Sequence, residues 1–326
     1  MTLKKPSVVV TRKLPKVVEG RMKELFDVIL NINDIPYSPS QLKSVLERCD
    51  VLVPTLTDKL DDKLLASSQN TVKLIANFGN GTDHIDIHAA HDSGIIVTNT
   101  PDVLTSDTAD IAMALIISVP RRLVEGAKMV AKNQFEEWKP THMLGGRLSG
   151  KSLGIVGMGR VGFAVAKRAH SFGINIHYHN RRRLVKDIED EAGASYWDSL
   201  DEMLTNMDII SIHCPYNQDT KHLISESRMK LIKKNAYIIN VSRADIIDEN
   251  ALIGMLENGR IAGAGLDVFE HYPSVNRRLK DLKNVILLPH MSSATLESRI
   301  EMGEKVIINI KTFIDGHRPP NRVISA

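Results

Sequence analysis

Short apolar runs without polar alternation recur along the chain, separated by stretches of helical length. "SVVV" (Ser7–Val10), "VLVPTL" (Val51–Leu56), "VKLIANF" (Val72–Phe78) and "GIIVTNT" (Gly94–Thr100) come first. "SLGIVGM", "NIHYHN", "DIISIHC", "AYIINVS", "GAGLDVF" and "VILLPH" follow. A strand with no polar face is covered on both sides, the condition of parallel sheets packed between helices. The pattern predicts an α/β protein with doubly wound parallel sheets, a smaller domain first and a larger one after. A Trp-, Pro- and Gly-containing segment, Asn133–Gly150, reads as a loop between the two sheets. The last helical pattern, Thr295–Asp315, places Ile300, Ile307, Ile308 and Phe313 on one side.

Length and composition agree with this picture. A chain of 326 residues suggests two domains of about 150 each. At 43% hydrophobic and 25% charged residues, each domain can bury a full core. The net charge is only +3, and the one dense basic block is Arg181–Arg183, so nucleic-acid binding is not expected. The longest apolar run, "IAMALIISVP", is too short to span a bilayer and reads as a buried helix. Cys49 and Cys214 are far apart and lack metal-site spacing, and the N-terminus lacks a signal-peptide core. These features predict a cytoplasmic protein with no disulfide, no metal and no membrane contact.

Gly157, Gly159 and Gly162 form G-x-G-x-x-G between the strand "SLGIV" and the helical stretch "VGFAVAKRAHSF". In that context the glycines allow a tight turn, backbone approach to a pyrophosphate, and close helix–strand packing, with the anion at the helix N-terminus. An NAD-specific unit places an acid about 20 residues on, to accept from the ribose 2′-OH. Here Asn180 is followed by Arg181, Arg182 and Arg183. Asparagine does not repel a 2′-phosphate and guanidinium groups grip one, so NADP is expected in preference to NAD, with NAD still possible.

Reduction of a carbonyl by hydride needs a cation to hold the substrate and an acid to protonate the new alkoxide. Arg243, Asp267 and His290 each lie just past a predicted strand, where doubly wound sheets bind ligands. Arg243 can pair with a carboxylate. His290, with an ordinary pKa of about 6.5, suits proton transfer. Asp267 can accept from a nicotinamide carboxamide. His84, His88 and His91 have the i, i+4, i+7 spacing of one helix face, which reads as a solvated face more readily than as a metal site.

Together these segments resemble the D-isomer-specific 2-hydroxyacid dehydrogenase family. The resemblance spans essentially the whole chain. It includes "NFGNGTDHID", "TNTPDVLTSDTADIAMALI", the glycine loop, "HCP", "NVSRADIIDENAL", "AGAGLDVFE" and "LLPHMSSAT". The chain is similar in particular to the glyoxylate/hydroxypyruvate reductase (D-glycerate dehydrogenase) branch. The resemblance implies a Rossmann dinucleotide-binding domain over 104–292. It also implies a smaller flavodoxin-like substrate domain from 1–103 plus 293–326, and a homodimer. The implied substrate is a small 2-oxo acid, or a 2-hydroxy acid in reverse.

By position, Arg243 would bind substrate and His290 would be the general acid/base. Asn80 and Gly81 would hold the carboxylate, with Leu56 lining the pocket. Thr108, Arg160, Val161, Cys214, Pro215, Val241, Ser242, Asp267 and Ser292 would line the cofactor site with the glycines, Asn180, Arg181 and Arg182. Trp138 lies in a loop that can reach the partner's active site in the reductase branch.

The pattern is broken at Tyr272, where the family has a glutamate bonded to the catalytic histidine. A phenol supplies no charge, so His290 is expected to titrate lower than in relatives. This departure feeds an alternative reading, a catalytically weakened dinucleotide sensor like the corepressors that share this fold. Ala244 and Ser292 also replace glycines, at positions where unusual backbone angles are expected.

Overall fold

In the computed structural model, which describes residues 5–67, 69–271 and 273–324, alternate residues of the apolar runs face opposite helical layers. Val8, Val10, Val51, Val53, Leu74 and Ala76 share one core, in which Met22, Val306 and Ile310 also lie. Their neighbours Val9, Leu52 and Ile75 belong to a second core on the other side. This two-sided burial is why the runs lack polar alternation. Each fully buried aliphatic side chain contributes about 1.5–3 kcal/mol.

Two compact units result, Met1–Leu104 with Ala294–Ala326, and Thr105–Ser293. In the first, strands β1 (Ser7–Val10), β2 (Asp27–Leu30), β3 (Val51–Val53), β4 (Leu74–Ala76) and β5 (Ile96–Thr98) form a sheet of order β2-β1-β3-β4-β5. All its pairings are parallel. The C-terminal helix Leu296–Ile314 packs on β4 and on the helix Lys16–Leu25. Its buried face is Met302, Val306, Ile307 and Ile310, whereas Ile308 is 50% exposed. The sequence expectation that Ile308 shares the apolar side is thus corrected: one residue past Ile307, it has turned about 100° toward solvent.

The second unit contains β6 (Ser152–Val156), β7 (Asn175–His179), β8 (Ala194–Tyr196), β9 (Ile209–Ile212), β10 (Tyr237–Asn240), β11 (Gly263–Leu266) and β12 (Val285–Leu287). Their order is β12-β11-β10-β9-β6-β7-β8, again all parallel. This is a Rossmann sheet whose order reverses between β6 and β9, the switch point where such sheets bind ligands. The first sheet follows the flavodoxin order, and the α/β expectation is met in both units.

Two strands escape the sequence pattern, β2 and β8. Both are sheet edges, short and partly exposed, so neither needs a continuous apolar run. Asn133–Gly150 contains neither helix nor strand. No helix of the described residues is long and apolar enough to cross a membrane.

Candidate active site

The glycine loop leaves β6 at the switch point. Gly157 has φ +97°, and a Cβ there would lie 2.5 Å from the Cys214 backbone nitrogen at the end of β9. A Cβ on Gly162 would meet the Gly157 carbonyl at 2.6 Å and Ile155 Cγ2 at 3.0 Å, so helix and strand touch only because the side chain is missing. At Gly159 a Cβ would meet nothing within 4 Å. That space, at the N-cap of the helix Arg160–Ser171, is what a pyrophosphate would fill. No side chain caps this helix, so its first N–H groups and its dipole favour an anion. The residues present therefore fit a dinucleotide.

Asn180, just past β7, accepts from the Met158 backbone N–H through Oδ1 at 2.7 Å and clamps the glycine loop. Arg183 is engaged elsewhere. It makes two 2.9 Å bonds to the buried Glu189 and lies over the Tyr196 ring. Arg183, then the Tyr178 hydroxyl, holds the Glu189 carboxyl down to about 2. Arg181 and Arg182 are exposed and meet no carboxylate among the described residues.

Past β9, His213 shares a 2.7 Å bond with Ser211, and burial pushes its pKa down to about 3. It is neutral at ordinary pH. Burial pushes the Cys214 thiol up to about 11, which leaves it a packing group and not a nucleophile. Pro215 is exposed, Ser242 Oγ donates to the Cys214 carbonyl, and Val241 is buried. Thr108 and Val161 are half-buried on their helices, while Arg160 is exposed.

The two chemical candidates follow β10 and β12, the strands on either side of β11. Past β10, the buried Asn240 donates from Nδ2 to the Arg243 carbonyl at 2.9 Å and accepts from the Ser242 N–H through Oδ1 at 3.0 Å. The Asn240 carbonyl accepts the Asp267 N–H at 2.9 Å, past β11. The Asp267 carbonyl in turn accepts the His290 N–H at 3.0 Å, past β12. Asp267 is fully buried, and its carboxylate oxygens accept the N–H groups of Met291 and Ser292, each at 2.8 Å. His290 itself has φ +53°. Few non-glycine residues adopt that backbone, and they do so where the surroundings fix them.

The glycine replacements at Ala244 and Ser292 predict unusual backbone angles there. Neither has positive φ; the left-handed residue is His290. Asp267 also takes a turn-capping role that its sequence position did not reveal. Glu270, in the same loop, donates its N–H to Glu249 at 2.7 Å and pairs with His222 at 3.5 Å. Tyr272 lies outside the described residues.

Leu56, Asn80 and Gly81 belong to the first unit, past β3 and β4. Leu56 is half-exposed in a turn held by the buried Asp58, which accepts from Thr55 N–H at 2.8 Å and Thr11 Oγ1 at 2.6 Å. Asn80 and Gly81 lie in a loop organised by Asn77, which sequence reading did not single out. The histidine spacing is corrected as well. His84 precedes the helix Ile87–Asp92 and meets Asn77 Oδ1 through Nε2 at 3.1 Å, so the three histidines do not share a helix face.

Comparison with known proteins identifies the family to which this fold belongs. Residues 113–292 match the model of the D-isomer specific 2-hydroxyacid dehydrogenase NAD-binding domain. A glyoxylate reductase of Thermococcus litoralis is 44% identical over 98% of this chain and 97% of its own length. A glyoxylate reductase structure from Paecilomyes thermophila superposes with a TM-score of 0.86 at 31% identity, covering 98% of this chain and 99% of that one. An NADPH-dependent glyoxylate/hydroxypyruvate reductase from Sinorhizobium meliloti, solved with NADP and malonate, gives 0.85 at 30% identity, covering 98% and 97%. The chain belongs to the D-isomer-specific 2-hydroxyacid dehydrogenase family and is an NAD(P)-dependent dehydrogenase.

Proposed function

We propose that this enzyme reduces glyoxylate or hydroxypyruvate to the D-2-hydroxy acid, with NADPH preferred to NADH. The reading rests on one observation above all. An arginine and a histidine stand past the two strands that flank β11, tied through Asn240 and Asp267, in the sheet that carries an open, uncapped glycine loop. Similarity to reductases acting on these substrates supports it. The dinucleotide, when bound, supplies the hydride. Gly157, Gly159 and Gly162 would hold its pyrophosphate, with Cys214, Pro215, Val241, Ser242 and Thr108 around it.

Arg243 binds the substrate carboxylate and carbonyl, drawing electron density from the carbonyl carbon. The backbone N–H groups of Asn80 and Gly81 hold the carboxylate, and Leu56 borders the pocket in the first unit, the substrate domain. His290 donates a proton to the alkoxide as it forms and removes it in the reverse direction. Asn180 places no negative charge near a 2′-phosphate, and Arg181 and Arg182 stand ready to pair with one. Cys49 and Cys214 are free and buried, as suits a cytoplasmic protein.

The working form is a homodimer. Val130, Phe135, Trp138 and Leu144 are exposed on one segment, Trp138 by 78%. Leu144 also borders a groove of about 770 Å³. An apolar surface of this kind is what a second copy would cover.

Light scattering should give twice the chain mass, and Val130→Asp should lower it toward the monomer; a wild-type monomer contradicts this. Initial rates on glyoxylate and hydroxypyruvate should be at least about tenfold higher with NADPH than with NADH at limiting cofactor, and Arg181→Ala/Arg182→Ala should remove most of that ratio. Binding of both cofactors without turnover would instead favour the sensor reading. Tyr272→Glu should supply the charge that the family pattern has and raise the His290 pKa. Since reduction uses the protonated ring, the variant's rate should persist to higher pH than wild type; superimposable pH profiles would count against a role for position 272.

A further inference from the structure

The loop that follows β4 has an unusual division between its carbonyls and its N–H groups. The Gly79 carbonyl accepts from Asn77 Nδ2 at 3.0 Å and from the Thr100 N–H at 3.0 Å. The Asn80 carbonyl accepts from Asn99 Nδ2 at 2.8 Å. The Gly81 carbonyl accepts from Asn77 Nδ2 at 2.9 Å. Three successive carbonyls are thus drawn toward the protein. In a trans peptide the N–H points opposite to the C=O it is bonded to. The N–H groups of Asn80, Gly81 and Thr82 must then face away, and none of them has a protein acceptor among the described residues. Successive N–H groups aimed one way make an anion cradle.

Asn77 is fully buried, and one amide sets two of the three carbonyls. Its orientation is chemically forced. Rotated by half a turn, it would place Oδ1 against two carbonyl oxygens. With Nδ2 donating, Oδ1 must accept, and its partner is His84 Nε2 at 3.1 Å. His84 therefore carries its proton on Nε2. The His84 carbonyl is fixed too, accepting the Leu60 N–H at 2.8 Å, so the ring is presented from an anchored backbone. A Cβ on Gly79 would lie 3.3 Å from Asn77 Nδ2, so the loop closes tightly over this amide.

We propose that Asn77 and His84 are positioning residues for the substrate carboxylate: His84 locks the Asn77 amide, and the locked amide turns the Asn80 and Gly81 N–H groups toward the substrate. Neither side chain touches substrate. The inference rests on the reading that this loop holds the carboxylate, and the test separates the two.

Steady-state kinetics with glyoxylate and NADPH would be compared for wild type, His84→Ala, His84→Gln, Asn77→Asp and Gly81→Pro, with NADPH affinity measured by nucleotide fluorescence. His84→Ala and Asn77→Asp should raise the glyoxylate KM about tenfold or more, the loss of charge-assisted hydrogen bonds, while kcat and NADPH affinity stay within about twofold. His84→Gln should restore most of the KM, because its amide nitrogen reaches where Nε2 stood. Gly81→Pro, which deletes one N–H, should raise KM as well. An unchanged KM in His84→Ala beside a raised KM in Gly81→Pro overturns the positioning role alone. An unchanged KM in Gly81→Pro overturns the carboxylate reading beneath it. Loss of NADPH affinity and kcat in His84→Ala, unrelieved in His84→Gln, would mark a general structural role and also overturn the inference.

Discussion

The carboxylate of Asp267 holds the backbone that carries His290, the proposed proton donor. His290 is in the left-handed region, which costs a non-glycine residue about 1–2 kcal/mol. Asp267 opposes that cost through three contacts. Its carbonyl takes the His290 N–H, and its two carboxylate oxygens take the next two N–H groups. A hydrogen bond to a charged group contributes about 1.5–3 kcal/mol, so two of them outweigh the strain. The strained residue therefore persists because its surroundings fix it. Through Asn240, the same chain of contacts reaches the Arg243 backbone. Arg243 and His290 are thus tied by one hydrogen-bonded unit across three adjacent strands.

The same device recurs in other loops past the parallel strands of both units. Asn180 pins the glycine loop through Met158, Asn77 pins the Gly79–Gly81 loop, and Asp58 pins the turn that carries Leu56. In each case a short polar side chain at or beyond a strand end satisfies loop N–H or C=O groups. Parallel strands supply the direction: all of them deliver their loops to one edge of the sheet. Side-chain clamps then decide which backbone groups face inward and which are left outward. In the proposed mechanism backbone N–H groups and two side chains meet the substrate, so the clamps matter as much as those groups.

This distribution explains what was legible in the sequence. Strands buried on two faces are visible as apolar runs, and the two strands that escaped, Asp27–Leu30 and Ala194–Tyr196, are edges with one wet side. The glycine triplet is legible because each glycine answers a local steric demand. Arg243 and His290 are legible as chemistry past a strand. The clamps are not: Asp267 acts on the N–H groups of Met291 and Ser292, brought near only by the fold, and Asn77 and Asn240 bond their own loops as any loop asparagine can, with nothing in the sequence to show which backbone groups they leave free. For the same reason Arg183 reads like Arg181 and Arg182, although its fork is bonded to Glu189 and theirs are not. His84 reads as part of a helix face by spacing alone, yet the helix starts after it, capped by Asp86.

The most direct test of this account is the turnover number of Asp267→Asn. Asparagine keeps the size but puts an NH2 group against one of the two loop N–H groups, which releases the His290 segment from one of its anchors. A displacement of about 1 Å at the reacting group costs about 100-fold in rate. A loss of that order in kcat is expected, with NADPH still bound and the thermal transition retained. A kcat within about twofold of wild type would mean that His290 holds its backbone without Asp267, contradicting the anchoring role.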